Sequence, residues 1–207
     1  MRLLLVVASE NVHKLAELRA MLGSEWEVRA ANSLGVPIPT VVEDGETFEA
    51  NAIKKAEQVA AVTHALTLAD DSGLEVDALG GAPGVRSARY AGERSTDAEN
   101  NAKLIDALRM HPAPYPARFR CVLCLVDPYA ATAAGRRVVV SGACEGSIVS
   151  EPRGAGGFGY DPLFVVQGHA ATFAELSPAE KHVASHRGQA MQAMRAVLAR
   201  VSSTRSG

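Results

Sequence analysis

The fold is decided by the stretch Ala65-Leu66-Thr67-Leu68-Ala69-Asp70-Asp71-Ser72-Gly73. Its apolar half predicts a buried strand, and the turn-prone pair Ser72-Gly73 predicts that this strand ends at the two carboxylates. Like charges held close together raise the free energy unless a cation or a shared proton relieves them. A divalent metal ion with oxygen ligands, most commonly Mg²⁺, is the usual relief. Two solvated aspartates remain the alternative for these residues taken alone.

The segments on either side of this stretch predict alternating strands and helices. Strands are predicted over 2–8, 26–31, 66–69, 74–76, 117–127 and 136–149. Helices are predicted over 12–22, 47–63, 96–110 and 188–201, and a short helix is predicted to start at Pro178. The two types of element mix along the chain, so we expect one α/β domain over residues 1–207. Its sheet should be mixed and twisted with flanking helices, and residues 203–207 should form a flexible tail.

Composition excludes several classes of protein. The 207 residues are 47% hydrophobic and 21% charged, which is enough apolar material for a full core. A net charge of −2 argues against a nucleic-acid-binding protein, which would carry a basic face. No stretch approaches the ~20 apolar residues of a membrane span, and the short apolar run at the N-terminus predicts a buried strand, not a signal peptide. We therefore expect no membrane partner and a cytoplasmic location.

The three cysteines give no disulfide framework. Cys121 and Cys124 form a C-x-x-C pattern inside a predicted strand, where residues three apart point to opposite faces. Core packing is therefore favoured over a redox or zinc role for these thiols.

The first predicted strand leads into Ser9-Glu10-Asn11-Val12-His13-Lys14, which opens a helix. Backbone N–H groups at a helix start, together with the positive end of the helix dipole, favour a phosphate group. Lys14 would add a mobile positive charge, and the side chains of Ser9 and Asn11 could donate hydrogen bonds. A capped helix with a surface lysine is the alternative, because the spacing of a Walker A loop is absent.

Two further segments are suited to a nucleotide. The glycines of Gly157-Phe158-Gly159-Tyr160-Asp161 would let the main chain approach a ligand, and Phe158 could stack on a planar base. Ser185-His186-Arg187-Gly188 places two donors side by side, with Lys181 shortly before them. The alternatives are a glycine-rich turn with a core phenylalanine and a helix junction with a solvated arginine. Jointly, the segments supply acids for a metal, amides and lysines for phosphates, an aromatic ring for the base and donors for its edge.

Six blocks in order along the chain carry a specific resemblance. They are Ser9-x-Asn11-x-x-Lys14, Glu43-Asp44-Gly45-x-Thr47-Phe48-x-x-Asn51-Ala52-x-x-Lys55-Ala56, Ala69-Asp70-Asp71-Ser72-Gly73-Leu74, Gly80-Gly81-Ala82-Pro83-Gly84-Val85-x-Ser87-Ala88-Arg89-Tyr90, Gly156-Gly157-Phe158-Gly159-Tyr160-Asp161-Pro162-Leu163-Phe164 and Glu175-Leu176-Ser177-x-x-x-Lys181-x-x-x-Ser185-His186-Arg187-Gly188. Over about residues 4–198 the chain resembles the RdgB-like inosine/xanthosine triphosphate pyrophosphatase family.

The resemblance implies an elongated α/β fold with two lobes around a central cleft, and a homodimer. It also implies Mg²⁺-dependent hydrolysis of dITP, ITP and XTP to the monophosphate and pyrophosphate. By position, Asp71 matches the catalytic acid, and Glu43 with Asp71 would hold the metal. The implied substrate-binding residues are Ser9, Glu10, Asn11, Val12, His13, Lys14, Lys55, Ser72 and Lys181, with Phe158, Gly159, Tyr160, Asp161, His186 and Arg187 around the base.

Two residues depart from the family pattern, because Glu10 and His13 stand where the family often has glycine. Two other functions remain open at this point. One is a Maf-like pyrophosphatase acting on pyrimidine or modified nucleotides, although its motifs differ from the six blocks. The other is a nucleotide-binding module without catalysis, against which the intact Asp71, Glu43 and Lys14 argue.

Overall fold

Apolar runs form the inner strands of a six-stranded mixed sheet in the computed structural model, which describes residues 2–206. The strands are β1 (Leu3–Ala8), β2 (Trp26–Ala30), β3 (Thr67–Val76), β4 (Tyr115–Val126), β5 (Arg137–Ile148) and β6 (Phe164–Val166). The helices are α1 (Val12–Leu22), α2 (Phe48–Thr63), α3 (Asp97–Leu108), α4 (Ala133–Arg136), α5 (Pro178–Ala184) and α6 (His186–Ser206). The strand order is β2-β1-β3-β4-β5-β6, with β1 parallel to β2 and β3, and β5 antiparallel to β6. The predicted α/β class and mixed sheet are confirmed.

The chain divides into two compact units. The first contains the chain up to Asp71, Val122–Ser141 and the chain from Ala190 onward, and the second contains Ser72–Cys121 and Gly142–Gln189. Strand β3 leaves the first unit and enters the second between Asp71 and Ser72. The cleft between two lobes stays a prediction.

In the first unit, β1 lies between two parallel neighbours. A strand with neighbours on both sides and helices on the sheet faces is apolar along its length, which is why Leu5, Val6 and Val7 are fully buried. Helix α1 begins as predicted at the cap residue Asn11, whose side chain accepts hydrogen bonds from the next turn. It ends at Gly23, which has a φ of 68°.

The turn predicted at Ser72-Gly73 is wrong, because β3 runs without interruption through the acidic pair. Gly73 serves close packing instead of a turn: a Cβ there would lie 2.4 Å from Ser87 Oγ and 2.6 Å from the Gly84 carbonyl oxygen. Successive residues of a strand point to opposite faces. The sequence suggested that Asp70 and Asp71 crowd each other at a strand end. They do not, because they occupy opposite faces of a continuous strand.

The second unit has its own apolar core. Its residues come from β3–β6, from α3 and from the loops on either side of β6, and they are Leu74, Val76, Leu104, Leu108, Ala117, Phe119, Cys144, Ile148, Tyr160, Leu163, Phe164, Val166 and Phe173. The sequence analysis missed β6, a strand of three residues that pairs with the end of β5. Helices α3 and α5 begin with capping boxes, Thr96 with Glu99 and Ser177 with Glu180.

The last helix is longer than predicted. Helix α6 begins at His186 instead of residue 188 and continues to Ser206, so residues 203–206 of the predicted flexible tail are helical and residue 207 lies outside the described residues. Cys121 and Cys124 are buried thiols, as predicted for core packing. Within residues 2–206, no helix combines the length and apolar character needed to cross a membrane.

Candidate active site

In the first unit, α2 delivers a buried lysine to two carboxylates. Lys55 Nζ donates to Asp71 Oδ1 at 2.9 Å and to Glu43 Oε2 at 3.0 Å. Lys55 is 7% exposed and Asp71 is 5% exposed, so water screens this ion pair weakly. The second oxygen of Asp71, Oδ2, is buried and accepts no hydrogen bond from any described residue. Asp71 thus has one oxygen held by an ammonium group and one, also buried, to which no described donor is bonded.

Burial and charge shift the pKa values of this cluster in different directions. Burial raises the pKa of Asp71 and outweighs the opposing charges of Lys55 and Lys14, with nearby Glu43 raising it further. Burial also acts to raise the pKa of Glu43, but the charge and hydrogen bond of Lys55 outweigh it and lower that pKa. For Lys55, the two carboxylates overcome burial and raise the pKa. Of the two acids, Asp71 is therefore the one better suited to take up a proton.

The other acid of the strand has a lysine of its own. Lys14 Nζ lies 2.7 Å from Asp70 Oδ1, and the Asp70 carboxylate is buried. Lys14 was predicted to be mobile, and this is wrong, since a buried ion pair holds its ammonium group. The lysines Lys14 and Lys55 thus give the two aspartates the relief that the sequence analysis assigned to a metal ion.

A residue that the sequence analysis did not assign holds the loop carrying Glu43. Asn51 Oδ1 accepts a hydrogen bond from the Gly45 N–H at 2.8 Å, and Asn51 is fully buried. It lies four residues before Lys55 and so on the same face of α2, a spacing that could have identified it. A Cβ on Gly45 would lie 2.6 Å from Asn51 Oδ1, so this close approach requires glycine.

In the second unit, the glycine-rich loop forms a tight turn around a carboxylate. Asp161 Oδ2 accepts a hydrogen bond from the Phe158 N–H at 2.9 Å and lies 2.6 Å from Lys181 Nζ. Gly157 has a φ of 72°, and a Cβ there would lie 2.0 Å from the same oxygen. The turn therefore requires glycine at 157, and it holds Phe158 and Lys181 together.

Two cations lie close to the ring of Phe158. Lys181 Nζ lies 4.8 Å from the ring centroid, and Arg187 Cζ lies 5.8 Å from it. Arg187 is 1% exposed and donates a hydrogen bond from Nη2 to Ser72 Oγ at 2.7 Å. His186 stacks on Phe119 with ring centroids 4.8 Å apart. The structure thus brings together Ser72, Phe158, Asp161, Lys181 and Arg187.

Other predicted site residues lie apart from these contacts. Tyr160 is 3% exposed in the core, and its hydroxyl donates to the Ser87 carbonyl at 2.8 Å, so its side chain is a packing group. Glu10, Val12 and His13 are exposed at the start of α1. The Asn11 side chain already accepts from the N–H groups of His13 and Lys14, so those two amides serve the cap. Ser9 Oγ accepts from the Asn11 N–H at 3.2 Å.

Most of the chain is similar to known proteins. A sequence model described as the Ham1 family matches residues 5–197. The chain therefore belongs to the Ham1 family. A "dITP/XTP pyrophosphatase" of Geobacter sulfurreducens is 48% identical over 191 residues, which cover 90% of this chain and 92% of that protein.

Solved Ham1 structures share the fold. A HAM1 protein from Coxiella burnetii matches with a TM-score of 0.83 at 43% identity, over 96% of this chain and 99% of that one. A "Nucleoside-triphosphatase / dITP/XTP pyrophosphatase" from Mycobacterium abscessus matches with a TM-score of 0.74 at 42% identity, over 93% of this chain and 98% of that one. The Ham1 match includes the residues of both clusters described above.

Proposed function

We propose that the protein hydrolyses deaminated purine nucleoside triphosphates, namely dITP, ITP and XTP, to the monophosphate and pyrophosphate. The observation that carries this proposal is the nearly full-length similarity to a relative named for dITP/XTP pyrophosphatase activity. The cluster of Asp71, Glu43 and Lys55 supplies chemistry that fits such a hydrolysis.

The reaction would be attack of water on the α-phosphorus. The new bond joins the water oxygen to phosphorus, the bond to the bridging α–β oxygen breaks, and pyrophosphate leaves. Asp71 Oδ2 is the proposed acceptor of the water proton, because it is buried and has no competing hydrogen bond among the described residues. A positioned general base contributes about 10²–10⁴-fold to a rate. Lys55 would hold the other oxygen and so fix the carboxylate plane.

The same cluster fits a divalent cation. Asp71 and Glu43 both face the ammonium group of Lys55, so these three ionised groups carry one net negative charge. No group of three or more His, Cys, Asp or Glu side chains in the described part of the chain is arranged to hold a metal ion. Two carboxylates suffice for Mg²⁺, which is commonly bound by one or two of them together with substrate phosphates. We propose that Glu43 and Asp71 hold Mg²⁺, which would neutralise charge on the pyrophosphate leaving group. Because Asp71 Oδ1 is bonded to Lys55, Oδ2 would serve in turn as metal ligand and as base, since one oxygen does not do both at once.

The remaining site residues would hold the substrate. Lys181 and Ser72 would line it together with the segment from Ser9 to Lys14, although Lys14 must share its charge with Asp70. Phe158 would stack on the base, and Arg187 with His186 would read its edge. Inosine and xanthosine carry a carbonyl acceptor at position six, whereas adenosine carries an amino donor, so a buried donor leaves adenosine poorly paired.

A panel of triphosphates tests the function. Pyrophosphate release from ITP, dITP, XTP, GTP, ATP, CTP and UTP is measured with and without added Mg²⁺. The proposal expects ITP, dITP and XTP to give the highest kcat/KM, and release to fall without Mg²⁺. A preference for pyrimidine nucleotides would indicate a Maf-like activity, and tight ITP binding without hydrolysis would indicate a binding module. Either result would refute the proposal.

We propose in addition that the protein is a homodimer, as the resemblance implied, and that it resides in the cytoplasm. Its three buried cysteines are thiols and not disulfides, which suits a reducing compartment. Light scattering on a size-exclusion column would give twice the chain mass for a dimer, and the chain mass would refute it.

A further inference from the structure

One face of α3 holds the loop that carries Phe158. The Gly159 N–H donates to Asp97 Oδ2 at 2.6 Å, and Asn101 Nδ2 donates to the Gly159 carbonyl at 2.9 Å. Asp97 and Asn101 lie four residues apart, so their side chains project from neighbouring turns of the same helix face. We propose that Asp97 and Asn101 are positioning residues that fix the orientation of the Phe158 ring for stacking on the purine base. This inference rests on the proposed function.

The two hydrogen bonds control Phe158 because of where they attach. The Gly159 N–H belongs to the planar peptide unit that directly follows Phe158, so fixing that plane fixes ψ of Phe158. On the other side, the Phe158 N–H is held by Asp161 at 2.9 Å. The main chain of Phe158 is thus bonded on both sides. Its own turn holds the N–H and, through the Asp161 N–H at 3.3 Å, the carbonyl, while α3 holds the N–H of the peptide unit that follows.

The loop needs this external support because glycines flank the ring. Gly157 and Gly159 have φ values of 72° and 62°. Glycine adopts this region readily, but other backbone conformations are equally accessible to it. Without the bonds from Asp97 and Asn101, Phe158 would sample more orientations in the absence of substrate. Ordering the loop on binding would then cost free energy, and the cost would appear as weaker substrate binding.

Helix α3 is a firm support for this purpose. Its first turn is closed by the capping box of Thr96 and Glu99. Asn100 is 2% exposed, accepts from the Ala91 N–H at 2.7 Å and donates to the Ala88 carbonyl at 3.2 Å. The helix therefore keeps its place when only the contacts to Gly159 are removed.

The test is steady-state hydrolysis of ITP by wild type and variants. Asp97→Ala should raise KM about fivefold with kcat within about twofold, since base–aromatic stacking is worth roughly 5- to 150-fold and only part of it would be lost. Asp97→Asn keeps an acceptor oxygen and should restore most of the loss. Asn101→Ala should act like Asp97→Ala. Asp106→Ala is the matched control, because Asp106 is an exposed acid of the same helix that pairs with Arg109.

A double variant separates positioning from general damage. If Asp97 acts through Phe158, adding Asp97→Ala to Phe158→Ala should change KM no further. Additive effects would overturn the inference, as would a wild-type KM in Asp97→Ala. The exchange rate of the Gly159 amide proton, followed by NMR, should rise about tenfold in Asp97→Ala and stay unchanged in Asp106→Ala. Faster exchange with an unchanged KM would show that the hydrogen bond from Gly159 to Asp97 only stabilises the loop, and this would also overturn the inference.

Failure of the proposed function would look different. A wild type that releases no pyrophosphate from any triphosphate refutes that function. The comparison then moves to the Kd for ITP measured by calorimetry. Equal Kd values for wild type and Asp97→Ala, or no binding by either, would overturn the positioning inference as well.

Discussion

Replacing Lys55 with methionine removes the ammonium group that binds both carboxylates in the first unit. Methionine keeps a long unbranched side chain on α2, so the packing volume changes little while the charge is lost. Asp71 Oδ1 and Glu43 Oε2 each lose a hydrogen bond of about the normal length. The Asp71 carboxylate then remains buried without the hydrogen bond and the positive charge of Lys55.

The size of the effect follows from this burial. Removing one partner of a buried ion pair costs about 3–5 kcal/mol, because the remaining charge is left without compensation. Glu43 is more exposed than Asp71, so its lost ion pair adds less to the loss of stability. Lys14 also offsets part of the charge on Asp71. We therefore expect the free energy of unfolding to fall by about 3 kcal/mol, the lower end of this range. With a urea m-value of roughly 2–3 kcal/mol/M, the unfolding midpoint should fall by about 1–1.5 M.

The loss should also depend on pH in a defined direction. Without Lys55, burial and the neighbouring Glu43 hold the folded-state pKa of Asp71 still further above its usual value of 3.8. A carboxyl group whose pKa is raised by folding binds its proton more tightly in the folded state. Stability is then lost as pH rises from the unfolded pKa toward the folded one. The variant should therefore be closer to wild type in mildly acidic buffer than at neutral pH.

Urea unfolding followed by the fluorescence of Trp26 measures this directly. Trp26 is the single tryptophan of the chain, is buried in β2 and belongs to the same unit as Lys55. Lys54→Met is the matched control, because Lys54 makes a solvent-exposed pair with Asp44 and its loss should leave the midpoint nearly unchanged. Equal midpoints for the two variants, or a Lys55→Met midpoint that does not depend on pH, would refute the reasoning.

Three further outcomes are expected. Asp71→Asn should lower kcat for ITP by about 10²–10⁴-fold while circular dichroism shows a retained fold, and near-normal turnover would remove Asp71 from the mechanism. Arg187→Ala should raise KM for ITP much more than for ATP, and equal increases would show that Arg187 does not read the base. Gly157→Ala should lower the thermal midpoint and raise KM for ITP, because its Cβ would meet Asp161; wild-type values for both would contradict the described turn.

Local sequence signals predicted most of the fold. Continuous apolar runs give buried strands, and the cap residue Asn11 and the first-turn proline Pro178 mark where two of the helices begin. The strand β6 escaped prediction because it is three residues long and is specified by its pairing with β5. Gly73 was read as a turn signal, whereas tertiary contact with Ser87 is what requires glycine there. Both errors come from long-range packing, which no local window contains.

The sequence predicted which residues belong to the site better than it predicted how they pair with one another. The sequence pointed to Asp71 and Phe158 by residue type and to Lys55 through the family resemblance, but not to which cation pairs with which acid. The pairing of acids with lysines depends on the strand face that each acid occupies. The faces of Asp70 and Asp71 are defined only because β3 continues through both residues. Asp97 and Asn101 carried no signal at all, since their partner Gly159 lies 62 and 58 residues away.

Because β3 is continuous, its two aspartates make different contacts and have different roles. Because Asp70 and Asp71 point to opposite faces, each meets a different lysine, Lys14 from α1 and Lys55 from α2. Asp70 is fully buried in its ion pair, so it ties α1 to the sheet. Asp71 keeps Oδ2 without a hydrogen-bond partner among the described residues, so it alone of the two retains an oxygen for chemistry. The alternation of a β-strand, more than repulsion between neighbouring acids, thus selects Asp71 over Asp70 as the residue that would act on water.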